Sequence, residues 1–145
     1  SGATRAAIDL SSPLSDGTLL ATASGSILVN GRVAGVGSGS EGYGGTISLV
    51  GNTLTIGAGA QIDVTGGTYG AGGSLELIGT IGVDIAANLE ANGGDDGGGS
   101  VEIFADYGDV KVTGRIDVSG GGFVGDGGDV MVMAMRQASP SSRMS

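Results

Sequence analysis

Residues 45–73 of this chain read GTISLVGNTLTIGAGAQIDVTGGTYGAGG, and this stretch decides the fold. It holds three bursts of alternation: Ile47 and Leu49, then Leu54 and Ile56, then Ile62 and Val64. A two-residue beat places successive side chains on opposite faces, which is the periodicity of a strand. A helix would need apolar residues three and four apart. The third burst runs into a glycine-rich loop, Gly66 to Gly72, and the whole phrase then restarts at Gly73 and Ser74 with Leu75 and Leu77.

Outward from this stretch, a glycine followed by a small polar residue and an alternating run recurs at Gly17, Gly45, Gly73, Gly99 and Gly128, with spacings of 28, 28, 26 and 29 residues. Three columns can be laid out from these starts. The first runs Leu19, Ile47, Leu75, Val101, Val130, and the second Ile27, Leu54, Val83, Val110. The third runs Ile8, Val33, Ile62, Leu89, Ile116. Short strands with one apolar face, repeating at a fixed period, can bury that face only against the same positions of the next repeat. The pattern predicts an all-β parallel β-helix, or β-solenoid, with three short strands per coil of about 27 residues and roughly four to five coils. Residues 1–135 are expected to form a single solenoid domain, with 136–145 a polar C-terminal tail. The glycines are expected at corners that need positive φ.

Composition supports this reading and removes several functions. The 145 residues include 33 Gly and 2 Pro, close to the level of a low-complexity chain, yet 39% are hydrophobic and the glycine falls on the period. The absence of His and Cys excludes a disulfide framework, a thiolate nucleophile, an imidazole base and a Cys/His zinc site. The net charge is −9, and Lys111 with five scattered Arg forms no basic stripe, so nucleic acid is not expected as a partner. The apolar runs are too short to span a bilayer as a helix, and no membrane insertion is expected.

The column count leaves a lone third strand at Ile8 to Leu10 and a lone first strand at Val130 to Val132, in a stack on the order of 20 to 25 Å tall. Each end would present unpaired parallel-strand edges over an open apolar core. Two explanations stand: a segment of a longer solenoid, or copies stacking head to tail into a homopolymer. On the second, Ile8, Leu10, Val130 and Val132, with Met131 and Met133, form the end-to-end contact.

Outward positions of the third strand form an acidic ladder, Asp9, Ala34, Asp63, Glu90 and Asp117, beside a second ladder of Ala7, Arg32, Gln61, Asn88 and Arg115. Stacked carboxylates repel unless splayed into solvent, paired with Arg115 or bridged by a cation. One reading of Asp63, Glu90, Asp117 and Arg115 is a carbohydrate-binding or polysaccharide-cleaving face, although paired carboxylates must be apposed across a substrate for cleavage. No catalytic constellation is assigned, and the chain is read as a non-enzyme with no required cofactor. Calcium is the one metal considered, at the loop residues Asp95, Asp96, Asp126 and Asp129, since carboxylates on neighbouring coils can share a hard cation. Asp84 and Lys111 fall at equivalent outward positions of adjacent coils and are expected to pair.

The phrases Gly45-Thr46-Ile47-Ser48-Leu49, Ile62-Asp63-Val64-Thr65-Gly66-Gly67 and Ile116-Asp117-Val118-Ser119-Gly120-Gly121 resemble repeats of the filamentous-haemagglutinin type, found in large secreted bacterial adhesins. The resemblance covers about residues 8 to 133. It implies a right-handed parallel β-helix outside a bacterial cell, serving as a stalk, adhesin or biofilm-matrix fibre, with cell-surface or matrix polysaccharide as a further partner.

Overall fold

Alternating aliphatic residues extend the backbone, and a solvated outer face with an apolar inner face leaves stacking as the way to bury the latter. The computed structural model of the chain describes residues 8–9 and 17–135, and among these every regular element is a strand. In chain order they are β1 (Ile8–Asp9), β2 (Thr18–Thr22), β3 (Ile27–Val29), β4 (Arg32–Ala34), β5 (Thr46–Ile56), β6 (Gln61–Asp63), β7 (Ser74–Ile85), β8 (Asn88–Glu90), β9 (Ser100–Ala105), β10 (Asp109–Val112), β11 (Ile116–Asp117) and β12 (Asp129–Ala134). Every pairing is parallel, and each joins a strand to its counterpart one coil away. The chain is a parallel β-solenoid of about four turns, about 28 residues apart.

The registers are the three columns of the sequence. Leu19 pairs with Ile47, Ile47 with Leu75, Leu75 with Val101 and Val101 with Val130. In the third column Ile8 lies on Val33, Val33 on Ile62, Ile62 on Leu89 and Leu89 on Ile116. This column forms one sheet in the order β1-β4-β6-β8-β11, and the first and second columns together form the other.

The expectation of three separate strands per coil needs correction in the two central coils. There the first and second strands fuse into β5 and β7, of 11 and 12 residues. At the bend Gly51 lies opposite Gly79, after which the register shifts so that Thr53 meets Gly82. A one-residue irregularity with glycine on both sides lets the ladder turn without losing its pairing. In the outer coils the corner residues 23–26 and 106–108 are not strand, which separates β2 from β3 and β9 from β10, although Ala23 N–H still donates to Val50 O and Tyr107 N–H to Thr80 O.

Inside the coil the core is entirely aliphatic, with no buried polar or charged side chain among the described residues. Ile47, Leu54, Ile56, Ile62, Leu75, Leu77, Ile85, Leu89 and Ile103 are sealed from solvent. Each such burial contributes roughly 1.5–3 kcal/mol before the cost of ordering the chain. Stacking like on like also fixes the register, because a one-residue slip would turn a whole inner column outward.

Glycine plays a different part from the one its turn propensity predicts. Among the described residues only Gly39, Gly97 and Gly122 have positive φ. Many of the others are placed by close approach of backbone to backbone, whereas Gly25 stands in open space and Gly57 meets the Asn30 side chain. A Cβ on Gly72 would overlap the carbonyl oxygen of Ala91 and the amide of Gly99, and one on Gly98 would overlap the carbonyl oxygen of Val118 and the amide of Gly128. These glycines lie in the loops that follow the third strand, where each loop layer hydrogen-bonds to the next: Gly67 N–H donates to Gly42 O, Gly94 N–H to Gly70 O and Gly121 N–H to Gly94 O.

Candidate functional site

Four surfaces carry chemistry: the outer edge of β12, the acidic column, the outward face of the first-column sheet, and the glycine-rich loop face. The solenoid's own register creates the edge of β12. Val130 and Val132 continue the column above Val101 and Ile103, which are 1% and 0% exposed, yet they are themselves 46% and 50% exposed. β12 pairs with β9 on one side, and among the described residues no strand pairs with its other side. At the opposite end β2 and β3 each pair with β5 alone, and Leu19, Ala21, Ile27 and Val29 are only partly buried. Ile8 is placed in register on Val33, while Leu10 and the polar tail 136–145 lie outside the described residues. Met131 and Met133 share the register of Glu102 and Phe104, so they belong to the outward face of the sheet and not to the inner column.

In the acidic column the residues stack as expected, Asp9 on Ala34, Ala34 on Asp63, Asp63 on Glu90 and Glu90 on Asp117. Ala34 is buried, which interrupts the ladder. Two of the carboxylates have local work. Asp63 Oδ1 accepts the Thr65 N–H at 3.0 Å, and Asp117 Oδ1 accepts the Ser119 N–H at 3.1 Å. Both bonds reach two residues along the chain, closing an Asx turn that leads the third strand into its loop. This gives the Ile-Asp-Val-Ser/Thr-Gly-Gly phrase a physical meaning: the acid caps the coil's exit. The Ser119 hydroxyl and N–H, with Arg115 Nη2 at 2.6 Å from Oδ2, hold the Asp117 carboxyl below its usual value. A general acid for glycoside cleavage needs its proton held on, which is the opposite shift.

The aspartates considered for calcium are dispersed. Asp96 accepts a hydrogen bond from Tyr43, Asp95 lies against Gly122 of the next coil, and the backbone oxygen of Asp126 accepts the Gly98 N–H. Asp129 opens β12 in register with Ser100. Among the described residues no three His, Cys, Asp or Glu side chains gather where they could hold a metal ion.

On the outward face of the first column, Thr18, Thr46, Ser74 and Ser100 form a hydroxyl ladder. Ser100 Oγ donates to Ser74 Oγ at 3.1 Å. The adjacent column brings Glu76 beside Glu102, and Ser48 Oγ donates to Glu76 at 2.8 Å. On the second column Asp84 stands in the expected register with Lys111, but among the described residues no ion pair joins the two.

The loop face holds a feature that strand periodicity does not reveal. Tyr43, in the loop of the first full coil, donates its hydroxyl to Asp96 Oδ2 at 3.2 Å, reaching past the intervening coil to the third. With Glu41 and Tyr69 these residues line a shallow cleft of about 360 Å³. Asp96 raises the Tyr43 phenol above its usual pKa through the hydrogen bond and its charge, with a smaller contribution from Glu41. Loops of unequal length hide this proximity, because residues far apart in sequence meet only once the coils stack.

Among the described residues no helix is long and apolar enough to cross a membrane. Comparison with protein-family models, curated proteins and solved structures gives no match.

Proposed function

We propose that this chain is a non-enzymatic structural unit of an extracellular bacterial fibre or adhesin, extended end to end by further coils of the same kind. The observation that carries the reading is the half-exposed pair Val130 and Val132, standing in register on a sealed column in a strand whose outer edge no strand pairs among the described residues. A second copy supplies the matching shape, since β2 presents the same column from its other side. Pairing β12 with β2 of the next copy sets β11 beside that copy's β1, which carries Ile8, and leaves a space one strand wide between β10 and β3. The extracellular placement rests on the resemblance to filamentous-haemagglutinin-type repeats, and surface or matrix polysaccharide is the partner it implies. The polysaccharide-cleaving alternative draws no support from the acidic column, where Asp63 and Asp117 serve their own turns.

Sedimentation velocity over a concentration series, with electron microscopy of the same samples, tests the assembly. The unaltered chain is expected to form linear oligomers, and Val130→Asp with Val132→Asp is expected to remain monomeric. Discrete monomers of the unaltered chain at the highest concentration would sink the reading.

A further inference from the structure

The four glycine-rich loops, residues 35–45, 64–73, 91–99 and 118–128, stack into one face of the solenoid. That face carries Glu41, Asp95, Asp96 and Asp126, together with Tyr43, Tyr69 and Phe123, and none of the four loops contains a Lys or Arg. The chain's few basic residues within the described part, Arg32, Lys111 and Arg115, all belong to strands or to the corner before β11. Among the described residues the four loops are therefore acidic and aromatic and supply no cation of their own. Tyr43 and Tyr69 are about half exposed, and they share the cleft with two carboxylates.

We infer that this loop face is a docking surface for a basic peptide segment, with the cleft between Tyr43 and Tyr69 seating one lysine or arginine side chain against Glu41 and Asp96. Charge complementarity selects the class. An ammonium or guanidinium group is attracted both to carboxylates and to aromatic rings, and its aliphatic stem packs on exposed ring surface. An anionic ligand would meet uncompensated repulsion from Glu41 and Asp96. The hydrogen bond from Tyr43 to Asp96 crosses two coils, so it holds one ring and one carboxylate in place before a ligand arrives, which lowers the ordering cost of binding. The site is independent of the end-to-end edge, because it lies on the flank of the coils.

The test is calorimetric titration of the full chain with the peptide acetyl-(Gly-Lys)6-amide, and separately with acetyl-(Gly-Gln)6-amide. Tyrosine emission provides a second readout, because the chain has three Tyr and no Trp. The lysine peptide is expected to bind and to change tyrosine emission, and the glutamine peptide to do neither. Glu41→Gln with Asp96→Asn is expected to weaken binding roughly tenfold, and Tyr69→Ala roughly threefold. Glu76→Gln with Glu102→Gln removes the same charge from another face and is expected to change affinity by less than about twofold. Circular dichroism establishes that each variant keeps its strand content. Equal weakening by the two double variants would reduce the effect to general polyanion attraction and overturn the site. Binding of the glutamine peptide with the same affinity, or of calcium alone at the cleft with no peptide binding, would overturn it as well.

Discussion

The strand wall and the loop wall of this solenoid obey the same vertical period through opposite means. In the strand wall, successive coils are held by side chains: Leu49, Leu77 and Ile103 lie on one another and are almost fully buried. In the loop wall they are held by main chain, and the side chain is what must be missing. Gly72 and Gly98 sit where any Cβ would strike the backbone of a neighbouring strand end or coil. The strand wall therefore tolerates exchange among aliphatic residues of similar size, whereas the loop wall tolerates changes of length but not of residue at its contact points. Its closing hydrogen bonds, Gly45 N–H to Gly35 O, Gly73 N–H to Val64 O, Gly99 N–H to Ala91 O and Gly128 N–H to Val118 O, span unequal stretches and still end in the same geometry.

This contrast can be broken at its strongest point first. Leu77→Ala removes a sealed side chain from the middle of the first column and should lower unfolding free energy by about 2–5 kcal/mol in chemical denaturation. A smaller loss, below that of a loop glycine, would mean that the loop wall carries the fold. Gly98→Ala comes next. Its Cβ meets main chain that cannot rotate away, and overpacking of this kind costs about 1–3 kcal/mol. A neutral result would remove the claim that the loop layers pack backbone on backbone.

A weaker effect is expected at Asp117, which joins the two walls at the exit of the last described third strand. Its native pKa is depressed by the Ser119 hydroxyl and N–H, with a lesser contribution from Arg115. The stabilisation is thus complete above the ordinary carboxylate value of about 4 and is lost as pH falls through the lower native value. Asp117→Asn should cost about 1 kcal/mol or less at neutral pH and flatten the acid limb of the stability profile, as read by thermal melts between pH 2 and pH 7 (roughly the carboxylate range and above). Phe123→Ser should have the smallest effect, within about 0.5 kcal/mol, because the ring is fully exposed at a loop tip. A larger loss there would show the loop face packing against something in the folded unit.

Much of the strand wall was legible in the chain itself. The columns Leu19 to Val130 and Ile8 to Ile116 follow from alternation and spacing alone, and they are the registers of the structure. The fused strands β5 and β7 were not legible, because a glycine at a corner is equally compatible with a break and with a bend. The role of most loop glycines is hidden from the sequence for a related reason. Local turn propensity gives positive φ as the use of glycine, while close approach between coils appears only after stacking. The same holds for the cleft: Tyr43 and Asp96 lie 53 residues apart, and neither the period nor either local motif links them.

What the sequence by itself determined is the repeating coil: a two-residue beat inside a period near 28 admits one inner face and one register, since any slip exposes whole aliphatic columns. What only the tertiary structure decided is how the unlike parts of successive coils meet. The bend at Gly51, the backbone-packed loop layers, the outward turn of Met131 and the Tyr43–Asp96 bridge all depend on contacts between coils, and no local preference encodes a neighbour one or two turns away.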